Sequence, residues 1–83
     1  METTIVQAET IRLEQFLKFA GVVMTGGEAK RLIQAGMVKV NGATERRRGR
    51  QLRDHDVVTM PDGLQLLVRV KGEERAFKED QDQ

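Results

Sequence analysis

A change of hydrophobic period at Gly36 constrains the fold of this chain more than any other feature. Upstream of it, Leu13, Phe16, Leu17 and Ala20 stand at i, i+3, i+4 and i+7, one stripe of a short helix over residues 12–20. Gly21 is its natural stop. A second helix opens at Thr25-Gly26-Gly27-Glu28, where the threonine oxygen can accept from the Glu28 amide and the glutamate can reach back, as in a capping box. Ala29, Leu32 and Ile33 form its buried stripe and Gly36 ends it. The short connection implies that the two helices pack steeply or antiparallel.

Downstream the pattern alternates. Met37 to Val40 reads as a strand, and Asn41-Gly42 is a strong hairpin signal, because both central residues of a tight primed turn need positive φ. Asp56 to Met60 reads as a further strand, closed by Pro61-Asp62-Gly63. Leu64, Leu66, Val68 and Val70 then alternate through a half-buried strand, and Thr3 to Gln7 can add a short edge strand. The expected fold is α+β: two short N-terminal helices packed on one face of a small, mostly antiparallel β-sheet. Residues 1–70 form one domain in this reading. Residues 71–83, where only Ala76 and Phe77 are apolar, form a charged, flexible tail.

An 83-residue chain without cysteine has neither disulfides nor thiolate metal ligands, so its core must hold by packing, and a deep catalytic cleft is not expected. The start METTIVQAET offers no basic cluster or apolar run for a signal peptide or membrane span, which makes a cytoplasmic protein without membrane attachment the expectation. His55 stands in Arg53-Asp54-His55-Asp56 with no second histidine or cysteine to complete a metal site, and reads as a turn residue ahead of a strand. Thr25-Gly26-Gly27 lacks the spacing of a nucleotide-binding loop. No catalytic residue, metal or cofactor is expected. Met24, Met37 and Met60 read as gap-filling core or its rim, and Phe19 as core or edge packing.

Charge distribution is more informative than the net value of +1. Residues 12–53 carry ten basic side chains against three acids, a local net of +7, and both flanks are acidic. Such polarity makes a positive face on a nearly neutral molecule. Lys30 and Arg31 are placed near the start of the second helix, where free amides and the dipole favour an anion. Lys39 points opposite to Val38 and Val40. Arg46-Arg47-Arg48-Gly49-Arg50 is the sharpest feature, since planar guanidinium forks meet phosphate in bidentate fashion. A solvated basic loop is the plain alternative, disfavoured in this reading because the cluster adjoins other bases instead of neutralising acids. With no tryptophan or tyrosine, stacking on single strands is not expected, and the pattern points to shape and backbone recognition of folded RNA.

The run Ile11 to Lys18, then Gly21, Gly27 to Ile33, Gly36, Val38 to Gly42 and Arg47 to Asp56 resembles the RNA-binding domain named after ribosomal protein S-four. The resemblance covers about residues 11–60. It is similar to modules in tyrosyl-tRNA synthetases, pseudouridine synthases and a heat-shock ribosome-recycling protein, and most like small stand-alone bacterial members, through Gly26 to Lys30 and Arg47 to Leu52. It implies an RNA-binding surface of Arg12, Lys30, Arg31, Lys39, Asn41, Arg46, Arg47, Arg48 and Arg50. The implied partner is structured RNA, ribosomal RNA or the ribosome, bound by a monomer. A module docking an acidic protein is the alternative. Two departures stand out: Thr25-Gly26 replaces the Ser-Arg of many members, removing one phosphate contact, and His55 replaces a usual glycine before Asp56, which implies a different turn.

Overall fold

The computed structural model describes residues 1–71. A strand comes first: β1 (Glu2–Val6) and the short β2 (Ile11–Arg12) precede α1 (Leu13–Phe19) and α2 (Gly26–Gln34). Then follow β3 (Lys39–Val40), β4 (Ala43–Thr44), β5 (Gln51–Leu52), β6 (Val57–Thr59) and β7 (Gln65–Val70). The expected α+β class with two helices stands, but the helices are not N-terminal. The expected edge strand over Thr3 to Gln7 leads the chain as β1, because its β-branched run pairs along β7 in parallel register, Glu2 opposite Leu66 and Val6 opposite Val70. The expected tail lies outside the described residues except for Lys71, whose amide donates to the Val6 carbonyl.

Five strands form one sheet in the order β1-β7-β6-β3-β4, antiparallel except for the β1–β7 pair. A second, two-stranded sheet joins β2 to β5, with Ile11 opposite Leu52 and Arg12 opposite Gln51. Neither short strand has an apolar period long enough to read from sequence. On one side, Val38, Val40, Val58, Leu66 and Val68 pack with Leu13, Phe16 and Leu17 of α1 and Ala29 and Ile33 of α2 in one buried cluster. Burying a side chain such as Phe16 contributes about 1.5–3 kcal/mol, and the cluster fixes both helices on the sheet.

Both helices end as their glycines require. Gly21 (φ 78) donates to the Lys18 carbonyl and Val22 to Leu17; Gly36 (φ 77) donates to Ile33 and Met37 to Leu32. These are paired Schellman closures. At the start of α2 the Thr25 hydroxyl accepts from the Glu28 amide at 3.1 Å, while the Glu28 carboxylate reaches back to the Met24 amide at 2.9 Å, one residue earlier than a capping box prescribes.

Three apolar expectations are corrected. Met60 is buried, but Met24 is 86% exposed and Met37 and Phe19 are about half exposed. Met24 belongs to the interhelical connection, and Phe19 falls off the Leu13–Phe16–Leu17 stripe. The turn at 53–56 closes with the Asp56 amide donating to the Arg53 carbonyl, and His55 takes φ 75. This is the left-handed conformation that a glycine would favour, so the replacement leaves that feature of the turn in place at some strain. Asp54 accepts from the Val70 amide at 2.8 Å and from Arg69 at 3.0 Å, and the first of these bonds leads in holding its carboxyl below the usual range. His55 Nδ1 lies 3.1 Å from Asp54, so the Asp-His-Asp run serves the turn.

Candidate nucleic-acid interface

Position 45 decides the shape of the arginine-rich segment. Asn41 (φ 52) and Gly42 (φ 85) form the tight turn that sets Val40 opposite Ala43 and Lys39 opposite Thr44. One step further Glu45 donates its amide to the Val38 carbonyl at 3.0 Å, level with an inward-pointing valine. Its side chain is buried, the only buried charged side chain among the described residues. A buried carboxylate must be paired. Arg47 donates to it from Nε at 2.9 Å, from Nη2 at 3.1 Å and from the backbone amide at 3.0 Å, and Arg50 Nη1 donates at 2.9 Å. The side-chain bonds from Arg47, then the one from Arg50, lower the Glu45 pKa to about 2 against the opposing effect of burial. The same hydrogen bonds raise Arg47 above its ordinary value.

The expectation that no acid stands beside the cluster is therefore corrected. Glu14 adds a looser partner, 3.7 Å from Arg12 and 3.9 Å from Arg48, on side chains open enough to water that each pair contributes at most about 1 kcal/mol. Backbone bonds are firmer. Arg12 is the N-cap of α1, and an arginine side chain has no acceptor for the first amides of a helix. The loop supplies acceptors instead: Leu13 donates to the Arg50 carbonyl at 2.8 Å and Glu14 to the Arg48 carbonyl at 3.0 Å. Gln15 Oε1 accepts from the Arg12 amide at 3.3 Å.

Arg46 ties the loop to the other helix. Its guanidinium donates to the Gln34 carbonyl at 3.3 Å and covers Gly36 so closely that a Cβ there would come within 2.7 Å of it. A cation at the carboxyl end of α2 also complements the helix dipole. Residues 46–50 thus bridge the end of α2 and the start of α1.

The remaining site residues divide. Lys30 and Arg31 lie on the exposed side of α2 but not near its start, because the helix begins at Gly26 and ends at Gln34, which leaves Arg31 in the last turn. The free amides at the opposite end therefore do not assist them. Lys39 is exposed and points away from the buried cluster, alongside Thr44 and Thr59. Among the described residues, none of these three cations has an ion-pair partner. Asn41 is committed to the fold: its Nδ2 donates to Asp56 Oδ1 at 3.0 Å and its Oδ1 accepts from the Val57 amide at 2.8 Å. Sequence reasoning missed Glu45. The signal was present, since the Asn-Gly register carries position 45 to the inward side opposite Val38.

Among the described residues no group of three or more His, Cys, Asp or Glu is placed to hold a metal ion, and no helix is long and apolar enough to cross a membrane. Against known proteins, the model of the S4 domain matches residues 4–73. The chain belongs to the S4 domain family. The match includes both helices, the hairpin, the arginine loop, β7 and the last three residues of β1. The S4 chain is also 45% identical over 53 residues to the probable ribosome maturation protein RlbA of Bacillus subtilis (strain 168), an alignment covering 64% of this chain and 75% of that protein. In structure it is similar to the 30S ribosomal protein S4e from Thermoplasma acidophilum, with a TM-score of 0.50 and 21% identity over 74% of this chain. It spans 38% of that longer chain, a likeness of fold.

Proposed function

We propose that this S4 domain is a non-catalytic RNA-binding protein that recognises structured RNA, with ribosomal RNA as the favoured target, through phosphate contacts from its basic face. The observation that carries the reading is the arginine loop: its carbonyls are pinned to α1 and Arg46 to α2, while Arg47 keeps a side chain 76% exposed. Lys30, Arg31 and Lys39 add exposed cations, and Arg12, Arg48 and Arg50 complete the set. Asn41 supports the surface by fixing the hairpin. Family membership and the likeness to a ribosome maturation protein support a cytoplasmic, ribosome-associated role; that the protein acts as a monomer is part of the proposal.

The affinity of such a face is governed by counterion release. If about five phosphates are engaged, log affinity falls with log salt at a slope of roughly −3.5 to −4.5. Fluorescence anisotropy with a labelled ribosomal RNA fragment containing a helical junction measures it. The double variant K30E/R31E, which breaks no ion pair among the described residues, should weaken binding and flatten the slope. A salt-independent affinity rejects the mechanism. Retention of a cellular partner after nuclease treatment would instead favour the docking of an acidic protein.

A further inference from the structure

Glu45 presents a problem that the RNA-binding reading does not solve. An acid within a face that attracts phosphate subtracts one positive charge from it. It is also buried against the tendency of a carboxylate to stay in water.

We propose that Glu45 is a positioning residue for phosphate recognition: by gripping one edge of Arg47 and one nitrogen of Arg50, it fixes where two guanidinium groups meet RNA. The inference rests on the proposed function. A guanidinium has five N–H donors. Arg47 turns Nε and one Nη2 hydrogen towards Glu45, so Nη1 and the second Nη2 hydrogen remain along the outer edge, on a side chain 76% exposed. That edge can take two oxygens of one phosphate, in a direction set before RNA arrives. Arg50 is held through Nη1 and is the less exposed of the two, at 31%. An unrestrained arginine must lose much rotamer freedom on binding; one already held by a carboxylate has lost it during folding. Neighbouring bonds keep the support rigid: the Arg50 amide donates to the Arg47 carbonyl at 3.2 Å, and the carbonyls of Arg48 and Arg50 accept from α1.

A purely structural Glu45 and a positioning Glu45 predict opposite signs. The isostere E45Q raises the net charge from +1 to +2, which by electrostatics alone strengthens RNA binding. It also puts an amide donor where one of the two accepting oxygens stood, so the two-oxygen grip on Arg47 and the bond from Arg50 cannot all be kept. Positioning therefore predicts about tenfold weaker binding and a salt slope flatter by about one.

The experiment compares wild type, E45Q, R47K and E45Q/R47K in the full chain, using the labelled ribosomal RNA fragment at temperatures where circular dichroism shows each variant folded. Lysine keeps the charge at position 47 and loses the fork. Because Arg47 makes three of the four hydrogen bonds to Glu45 and Arg50 the fourth, E45Q costs clearly less affinity in the R47K background than in wild type, the remainder being the release of Arg50. Equal or tighter binding by folded E45Q, or losses that add in the double variant, overturns the inference. Should E45Q fail to fold, the Arg47 Nε–H resonance of wild type decides: its persistence in free and RNA-bound protein supports the grip, and its loss on adding RNA overturns it. Wild-type protein with no salt-dependent binding sinks the RNA reading itself, whereas a binding wild type with an unaffected E45Q sinks only the positioning role.

Discussion

Acid should weaken this fold through one identifiable group. Glu45 ionises at about 2 in the folded chain against an ordinary 4.5, because Arg47 and Arg50 donate to its charged form. At about 1.4 kcal/mol per pH unit, that depression corresponds to about 3 kcal/mol of stability. Since the folded-state value lies below the unfolded one, the contribution is complete above pH 4.5, shrinks as pH falls and is gone below about pH 2. A domain of this size has only about 4–10 kcal/mol in total, so the effect is large enough to measure. E45Q mimics the protonated acid and should show the loss already at neutral pH. Urea unfolding followed by far-ultraviolet circular dichroism is the suitable assay, because the chain has no tryptophan or tyrosine. The gap between wild type and E45Q should be about 3 kcal/mol at pH 7 and narrow steadily between pH 4.5 and 2.5. A gap that does not change with pH, or E45Q as stable as wild type at pH 7, would refute the assignment of the low pKa to these hydrogen bonds.

Substitutions at two further positions test the backbone around the loop. G36A forces alanine to φ 77 and pushes a methyl carbon to within 2.7 Å of the Arg46 guanidinium; about 1–2 kcal/mol should be lost, and the thermal midpoint should fall by about 5–10 °C. An unchanged midpoint would mean that Arg46 and the helix end adjust freely. N41A loses the bonds to Asp56 and the Val57 amide as well as the residue best suited to φ 52, at about 2–3 kcal/mol in chemical unfolding. N41G should recover about 1 kcal/mol of that loss by relieving the backbone, and equal stability of the two variants would count against the strain.

The parts of the fold carried by period and punctuation were legible in the sequence. Leu13, Phe16 and Leu17 announce α1, Thr25 and Gly36 bracket α2, and Asn41-Gly42 sets the hairpin register. The β2–β5 pair was not, because two-residue strands leave no alternation to detect and are defined by long-range pairing. Lys30 and Arg31 were assigned to the wrong part of α2 although both ends were legible, because in a nine-residue helix the fifth and sixth positions already lie beyond the first turn, whose amides are the free ones. Glu45 was hidden by charge counting, which tallies acids without regard to side. Its burial follows from the Asn41-Gly42 register combined with the inward position of Val38, two facts that were available separately. The exposure of Phe19 could be read from its place off the Leu13–Phe16–Leu17 stripe, whereas that of Met24, in the connection between the helices, had no sequence signal.

The parallel pairing of β1 with β7 has a consequence for how the chain reaches this fold. Val6 finds its partner at Val70, so β1 cannot complete its ladder until β7 has formed. Closing so long a loop in the unfolded chain costs entropy before any contact repays it, which favours nearer contacts ahead of this pair. The helices, the hairpin and the β6–β7 pair use nearer contacts and can form first. Until β7 is in place, Thr3, Thr4, Ile5 and Val6 offer an unpaired, β-prone segment to whatever strand edge is close. During synthesis that interval lasts for nearly the whole passage of the described chain.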